Sequence, residues 1–64
     1  MELHKVFGRN VRVICEDGQT LTGRVEDYTS APDNEPDPES ITIRYCGALI
    51  ELYAPEIKKI EILD

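Results

Sequence analysis

The chain has 64 residues, and its 13 acidic and seven basic side chains give a formal net charge of −6 at pH 7. A domain of this size buries only about 60% of the surface that its unfolded chain exposes, so it usually needs a disulfide, a metal or self-association for stability. Two cysteines are too few for a disulfide framework, and the acidic balance argues against general affinity for nucleic acid. Self-association is therefore the expected source of added stability.

The chain is predicted to open with a short helical or irregular segment. Leu3, Val6 and Phe7 have helix-like spacing over a single turn, and Gly8 ends it. One turn is too short to be stable alone, so we expect it to dock on the rest of the domain through Phe7.

A β-hairpin is predicted next. Apolar residues alternate over residues 10–16 and 20–28, and Asp17-Gly18 between them is typical of a tight turn, because glycine adopts the positive φ that such turns require. The positions expected to face inward are Val11, Val13, Cys15, Leu21, Gly23 and Val25.

The second half of the chain is predicted to contain three more strands. Residues 29–39 include three prolines and no large apolar side chain, which indicates a solvated loop. Alternation resumes in three runs at 40–46, 48–53 and 57–63, and turn residues separate these runs.

Five short strands with a glycine inside the second predict an all-β fold. A mid-strand glycine weakens pairing unless the strand bends there or another backbone approaches closely, and Gly23 is expected to serve that purpose. The elements together predict a small, strongly bent, five-stranded SH3-like barrel with a short N-terminal helical turn. Residues 1–64 are expected to form this single domain.

This arrangement resembles the Sm-like (LSm) family over nearly the whole chain. The first motif of that family is similar to residues 11–28, at the positions of Val11, Val13, Gly18, Leu21, Gly23, Val25 and Tyr28. The second motif, apolar-Arg-Gly-x-x-apolar-x-x-apolar, is similar to residues 52–60 in its apolar positions. Tyr53 and Ala54 stand where the family has arginine and glycine.

The resemblance implies assembly into rings, in which the fourth strand of one subunit pairs with the fifth strand of the next. The residues point the same way, because the last two predicted strands carry more apolar side chains than one small barrel can enclose. We therefore expect a homo-oligomer, with a ring as one form of it. The expected interface residues are Leu49, Ile50, Leu52, Ile57, Ile60 and Ile62.

Many Sm-like proteins bind uridine-rich RNA at the pore, but the matching positions differ here. Thr29 replaces an aspartate, Ala31 the stacking side chain, Asp33 an asparagine and Tyr53 an arginine, while Asn34 lies one residue beyond the expected amide. A carboxylate only accepts hydrogen bonds and does not reproduce the donor face of an amide. We predict no tight binding of oligo-uridine at physiological salt.

Two function classes follow from the sequence. The first is a non-enzymatic oligomeric scaffold or protein-interaction module with a degenerate uridine pocket and an unidentified protein partner. The alternative is an RNA-binding protein of the RNA-chaperone type that stacks bases on tyrosine at a rearranged site. The residues of that site would be Tyr28, Thr29, Asp33, Asn34, Tyr53 and Lys58. The alternative gains if the folded oligomer gathers basic side chains on one face, namely Arg9, Arg12, Arg24, Arg44 or Lys58 and Lys59.

No catalytic, metal or cofactor site is expected. The single histidine, His4, has no assignable partner for nucleophilic catalysis, and together with Cys15 and Cys46 it lacks the paired spacing of a zinc site. The alternating acids of residues 33–39 lack the glycine turn of a calcium loop. The start of the chain has no apolar run, and no stretch approaches the roughly 20 apolar residues that span a bilayer, so a cytoplasmic location with reduced thiols is expected.

Overall fold

Five antiparallel strands form one sheet in the computed structural model, which describes residues 2–64. The strands are β1 (Asn10–Cys15), β2 (Thr20–Thr29), β3 (Ser40–Tyr45), β4 (Ala48–Tyr53) and β5 (Ile57–Ile62). The sheet order is β4-β3-β2-β1-β5, so β4 and β5 are the edge strands. The predicted five-stranded all-β class is confirmed, and every predicted strand boundary lies within one residue of the observed one.

Three 3-10 turns complete the described chain, at Leu3–Val6, Pro32–Asn34 and Ala54–Glu56. The last of these connects the two edge strands through only three residues. None of the helical segments within residues 2–64 has the length and apolarity needed to cross a bilayer.

Strand β2 changes partners along its ten residues. Its first part pairs with β1 and its second part with β3, and the β3 register shifts between Val25 and Asp27. Such a bulge increases the local twist of a strand. At Gly23, a Cβ atom would lie 1.9 Å from the backbone oxygen of Arg44 on β3, so the close approach predicted at this glycine is present.

Side chains from all five strands and from the N-terminal turn form the core. Strand alternation places the predicted inward side chains of the hairpin inside, and residues of the other strands and of the N-terminal turn join them. The buried apolar residues are Leu3, Val6, Val11, Val13, Cys15, Leu21, Val25, Ile41, Ile43, Leu52 and Ile57.

The N-terminal turn docks through different residues from those expected. Leu3 and Val6 are 1% and 6% exposed, whereas Phe7 is 55% exposed, so the expectation that Phe7 packs on the core is wrong. Residues three apart lie on the same side of a 3-10 helix, which puts Leu3 and Val6 on one face. Phe7 follows the last helical residue and falls outside that face. A hydrogen bond from the Gly8 N–H to the Val25 oxygen (3.0 Å) fixes the segment on β2.

Candidate functional site

Four of the candidate nucleotide-binding residues lie at one end of the sheet. There β2 ends, β3 begins and β4 ends, so Thr29 pairs with Ser40, and Ser40 pairs with Tyr53. Asn34 reaches this point from the long loop, with its Nδ2 3.4 Å from the Ser40 hydroxyl. Tyr28 is the neighbour of Thr29 on β2, but it pairs with the buried Ile41, so its side chain lies on the inner face of the sheet at the same end. We call these residues, with Glu39 and Glu51, the polar cluster.

The hydroxyl groups of the polar cluster donate to carboxylates within the chain. Tyr28 donates to Glu39 (2.9 Å), while Tyr53 and Ser40 both donate to Glu51 (3.2 and 2.8 Å). The hydrogen bond to Glu39 raises the pKa of Tyr28, and the hydrogen bond to Glu51 raises the pKa of Tyr53. Both tyrosines are therefore held in the neutral form, beside negative charge.

The amide of Asn34 is also engaged within the chain. Its Nδ2 donates to the backbone oxygen of Pro38 at 2.7 Å as well as approaching Ser40. Asp33 accepts a hydrogen bond from the Ser30 hydroxyl at 3.0 Å, on the exposed side of the 3-10 turn. A base arriving here would have to displace these hydrogen bonds and approach two carboxylates.

Two more side chains, Lys58 and His4, complete the description of the candidate residues and their contacts. Lys58, the sixth candidate, lies on edge strand β5 and has no hydrogen bond or ion pair to any of residues 2–64 through its side chain. His4 instead packs edge-on against Tyr28, with ring centroids 6.3 Å apart. The sequence did not indicate this contact, because it depends on where the N-terminal turn docks.

The edge strands carry exposed apolar side chains. Leu49 on β4 and Ile62 on β5 are 57% and 47% exposed, and Ile50 and Ile60 are partly buried. The other two residues expected at an interface lie elsewhere: Leu52 and Ile57 are 6% and 5% exposed and belong to the core of the chain itself. Leu52 pairs with the fully buried Ile41, and Ile57 pairs with buried Cys15, so both face inward.

Three arginines lie on the outer face of the sheet. Arg24 on β2 pairs directly with Arg44 on β3, and Arg12 on β1 is two residues from Asn10, the other partner of Arg24. Side chains two residues apart on a strand share a face. We call Arg12, Arg24 and Arg44 the arginine face. Glu26 lies between two of them, 3.6 Å from Arg24 and 3.2 Å from Arg44.

The remaining side chains to place are those that could bind a metal or react as thiols. Within residues 2–64 there is no group of three or more His, Cys, Asp or Glu side chains arranged to hold a metal ion. Cys15 and Cys46 are free thiols, the first buried and the second exposed.

Comparison of this chain with protein-family models, with curated proteins and with solved structures found no match. Its function is therefore inferred from the geometry of the chain itself.

Proposed function

We propose that this chain is a non-enzymatic subunit of an Sm-like homo-oligomeric scaffold, in which β4 of one copy pairs with β5 of the next. The observation that carries the proposal is that both edge strands of the sheet have an unpaired side and an exposed apolar residue. Each is a six-residue strand with an unpaired side, and each presents an exposed apolar residue, Leu49 or Ile62.

Sheet edges of this kind favour association. An unpaired edge offers a row of backbone N–H and C=O groups to another strand, and natural proteins usually protect long apolar edges. Here β5 carries Lys58, Lys59 and Glu61, and β4 carries Glu51. These charges would select the register of pairing between unlike edges, since complementary charges favour one alignment over others.

An Sm-like form of the sheet is supported by the shape of β2 and by the connection between the edges. Gly23 and the bulge after Val25 bend β2 so that it pairs with β1 and then β3. The three-residue turn at Ala54–Glu56 directs β5 back towards β1, and the Glu16 N–H donates to the Glu56 oxygen at 2.8 Å. We infer a partly open barrel whose two free edges are left for neighbouring subunits.

The assembly is tested by a charge placed on one edge. Ile62→Lys should reduce the mass of the particle to that of a monomer in native mass spectrometry and light scattering, because a lone charge would enter an apolar contact. Ile62 is 47% exposed, so the fold should tolerate lysine there. Thr22→Lys is the matched control, because Thr22 is exposed on the central strand β2. A wild-type chain that is monomeric at high micromolar concentration would contradict the proposal.

A second candidate function, RNA binding, is favoured by the arginine face. Guanidinium groups on one face bind phosphates more effectively than the net charge of a protein suggests. The three side chains are 46%, 58% and 50% exposed for Arg12, Arg24 and Arg44, respectively. Their ion pairs with Glu26 and Glu61 oppose this function, since phosphate must compete with two carboxylates.

Titration of labelled oligo-uridine at several salt concentrations distinguishes the two functions. The scaffold proposal predicts no saturable submicromolar binding at physiological salt. RNA binding through the arginine face predicts binding that weakens steeply with salt and is lost in Arg24→Glu. Lys5→Glu makes the same charge change outside this face and should leave such binding intact. Loss of binding in Tyr53→Ala would instead locate the RNA at the polar cluster.

A further inference from the structure

A pocket of ≈ 350 Å³ lies between the β1–β2 turn and the Ala54–Glu56 turn, next to the end of β4. Backbone hydrogen bonds hold its two sides in place. The Glu16 N–H donates to the Glu56 oxygen (2.8 Å), and the Gly18 N–H donates to the Cys15 oxygen (2.9 Å). The pocket is therefore preformed by the fold of a single chain.

The floor of the pocket is apolar. Cys15 and Leu52 line it and are each 6% exposed, and Pro55 forms part of the wall. The Cys15 thiol makes no hydrogen bond to the side chains or backbone of residues 2–64. A hydrocarbon chain placed here would be removed from water on several sides, which favours binding in proportion to the apolar area buried.

The rim of the pocket is acidic. Glu16, Asp17 and Glu56 line it, and none of these carboxylates has a lysine, arginine or histidine within ion-pair distance among residues 2–64. Burial raises the pKa of the Cys15 thiol, and the charges of Asp17 and Glu56 raise it further. Negative potential therefore extends from the rim to the floor.

An apolar floor beneath a negative rim matches one kind of side chain. Lysine and arginine combine an aliphatic stem with a cationic head, and they bury the stem along apolar surface while the head stays near water. An anion would be repelled by the rim, and a purely apolar group would desolvate carboxylates without compensation. The described residues also form no cluster that could hold a metal ion here.

We propose that this pocket binds a lysine or arginine side chain presented by a partner polypeptide. The stem contacts Cys15 and Leu52, and the head group pairs with Glu16, Asp17 or Glu56. The acidic rim and the long-range attraction of a chain with net charge −6 both favour a basic partner. This inference does not depend on assembly, because every residue of the pocket belongs to one chain.

The test is a titration of the full chain, followed by amide NMR, with the peptide acetyl-Ala-Lys-Ala-amide and its arginine equivalent. The matched control peptide carries norleucine, which has the aliphatic stem without the charge. We expect saturable shifts of the Cys15, Gln19 and Glu56 amides with both basic peptides and much weaker binding of the norleucine peptide. Equal binding of all three peptides, or shifts confined to other parts of the chain, would overturn the proposal.

Substitutions at the rim test the role of its charges. Asp17→Asn and Glu56→Gln retain the oxygens that accept hydrogen bonds from the Gln19 and Tyr53 N–H groups. Each should weaken binding of the lysine peptide about two- to five-fold, the effect of one exposed ion pair. Glu35→Gln changes the net charge equally in the long loop and should leave the affinity unchanged. An equal loss in Glu35→Gln would mean that only the overall charge attracts the peptide, which would contradict a specific pocket.

The same titration on Ile62→Lys separates this inference from the scaffold proposal. Binding of the lysine peptide should persist when the particle becomes a monomer. Failure of the wild-type chain to assemble would contradict the scaffold alone. Failure of an assembled and folded chain to bind the basic peptides would contradict the pocket alone.

Discussion

The close approach of β2 and β3 at Gly23 leads to a quantitative prediction for Gly23→Ala. The new methyl group would lie 1.9 Å from the Arg44 oxygen, 3.0 Å from the Arg44 carbonyl carbon and 3.3 Å from Cγ1 of Ile43. The nearest atom is backbone, so no rotamer change relieves the contact. The two strands must move apart by about 1 Å before the oxygen reaches an acceptable distance.

This separation sets the size of the effect. Overpacking alone costs about 1–3 kcal/mol, and weakening the neighbouring hydrogen bonds between β2 and β3 adds about 0.5–1.5 kcal/mol for each bond. We therefore expect Gly23→Ala to lower the free energy of unfolding by about 3 kcal/mol or more. A domain of 64 residues has a free energy of unfolding of only about 3–10 kcal/mol. The variant should therefore be largely unfolded, or its melting temperature should be lower by at least about 12 °C.

Chemical and thermal unfolding followed by circular dichroism measures the loss. Gly18→Ala is the matched control. Gly18 has a φ of +93°, but no other atom lies within 4 Å of the position that a Cβ atom would take there. Gly18→Ala should lower the free energy of unfolding by only about 1–2 kcal/mol, because a residue with a Cβ atom disfavours a positive φ. Gly23→Ala should therefore be clearly the more damaging of the two. Equal stability of the Gly23→Ala and wild-type chains would refute the close approach of β2 to β3.

Three further predictions concern the N-terminal turn, the thiols and acid stability. Leu3→Ala should destabilise the chain by about 2 kcal/mol or more in urea unfolding, whereas Phe7→Ala should change it by about 0.5 kcal/mol or less; equal effects would contradict the docking of the turn. Cys46 should react with a thiol reagent at once in the native chain, while Cys15, which is 6% exposed and has a pKa raised by burial, should react more slowly than Cys46 until the chain unfolds; two equally fast thiols would contradict its burial. The hydrogen bond from Arg9 lowers the pKa of Asp64, so its stabilising contribution is present above the ordinary aspartate pKa and is lost as pH falls through the lowered value. Asp64→Asn should therefore be less stable than wild type at neutral pH, and the difference should vanish in strong acid.

The strands and the hairpin turn could be predicted from the sequence because they depend on local chemistry. Side chains alternate between the two faces of a strand with a period of two, so the pattern of Val11, Val13 and Cys15 already separates the inner from the outer face. The positive φ at Gly18 is equally local, since only the residue's own Cβ makes that conformation costly. Gly23 was recognisable as a close approach, but its neighbour Arg44 was not, because 20 residues separate them in the chain.

The tertiary structure decided which of several similar side chains are buried. Ile50 and Leu52 share one face of β4 and pair opposite the core residues Ile43 and Ile41, yet Leu52 is buried and Ile50 only partly so. Leu3 and Phe7 are likewise separated by the 3-10 geometry of the N-terminal turn and by where it docks. Burial depends on which other elements cover a side chain, and alternation along one strand does not contain that information.

The tertiary structure also determines the candidate sites. Register between β2 and β3 places Arg24 beside Arg44, although neither neighbours the other in sequence. The long loop brings Asn34 to Ser40, and the contact between the two turns creates the pocket beside Cys15. The residue types and strand pattern were readable from the sequence alone. The distances between charges, on which any binding function depends, arise only when strands remote in sequence pair.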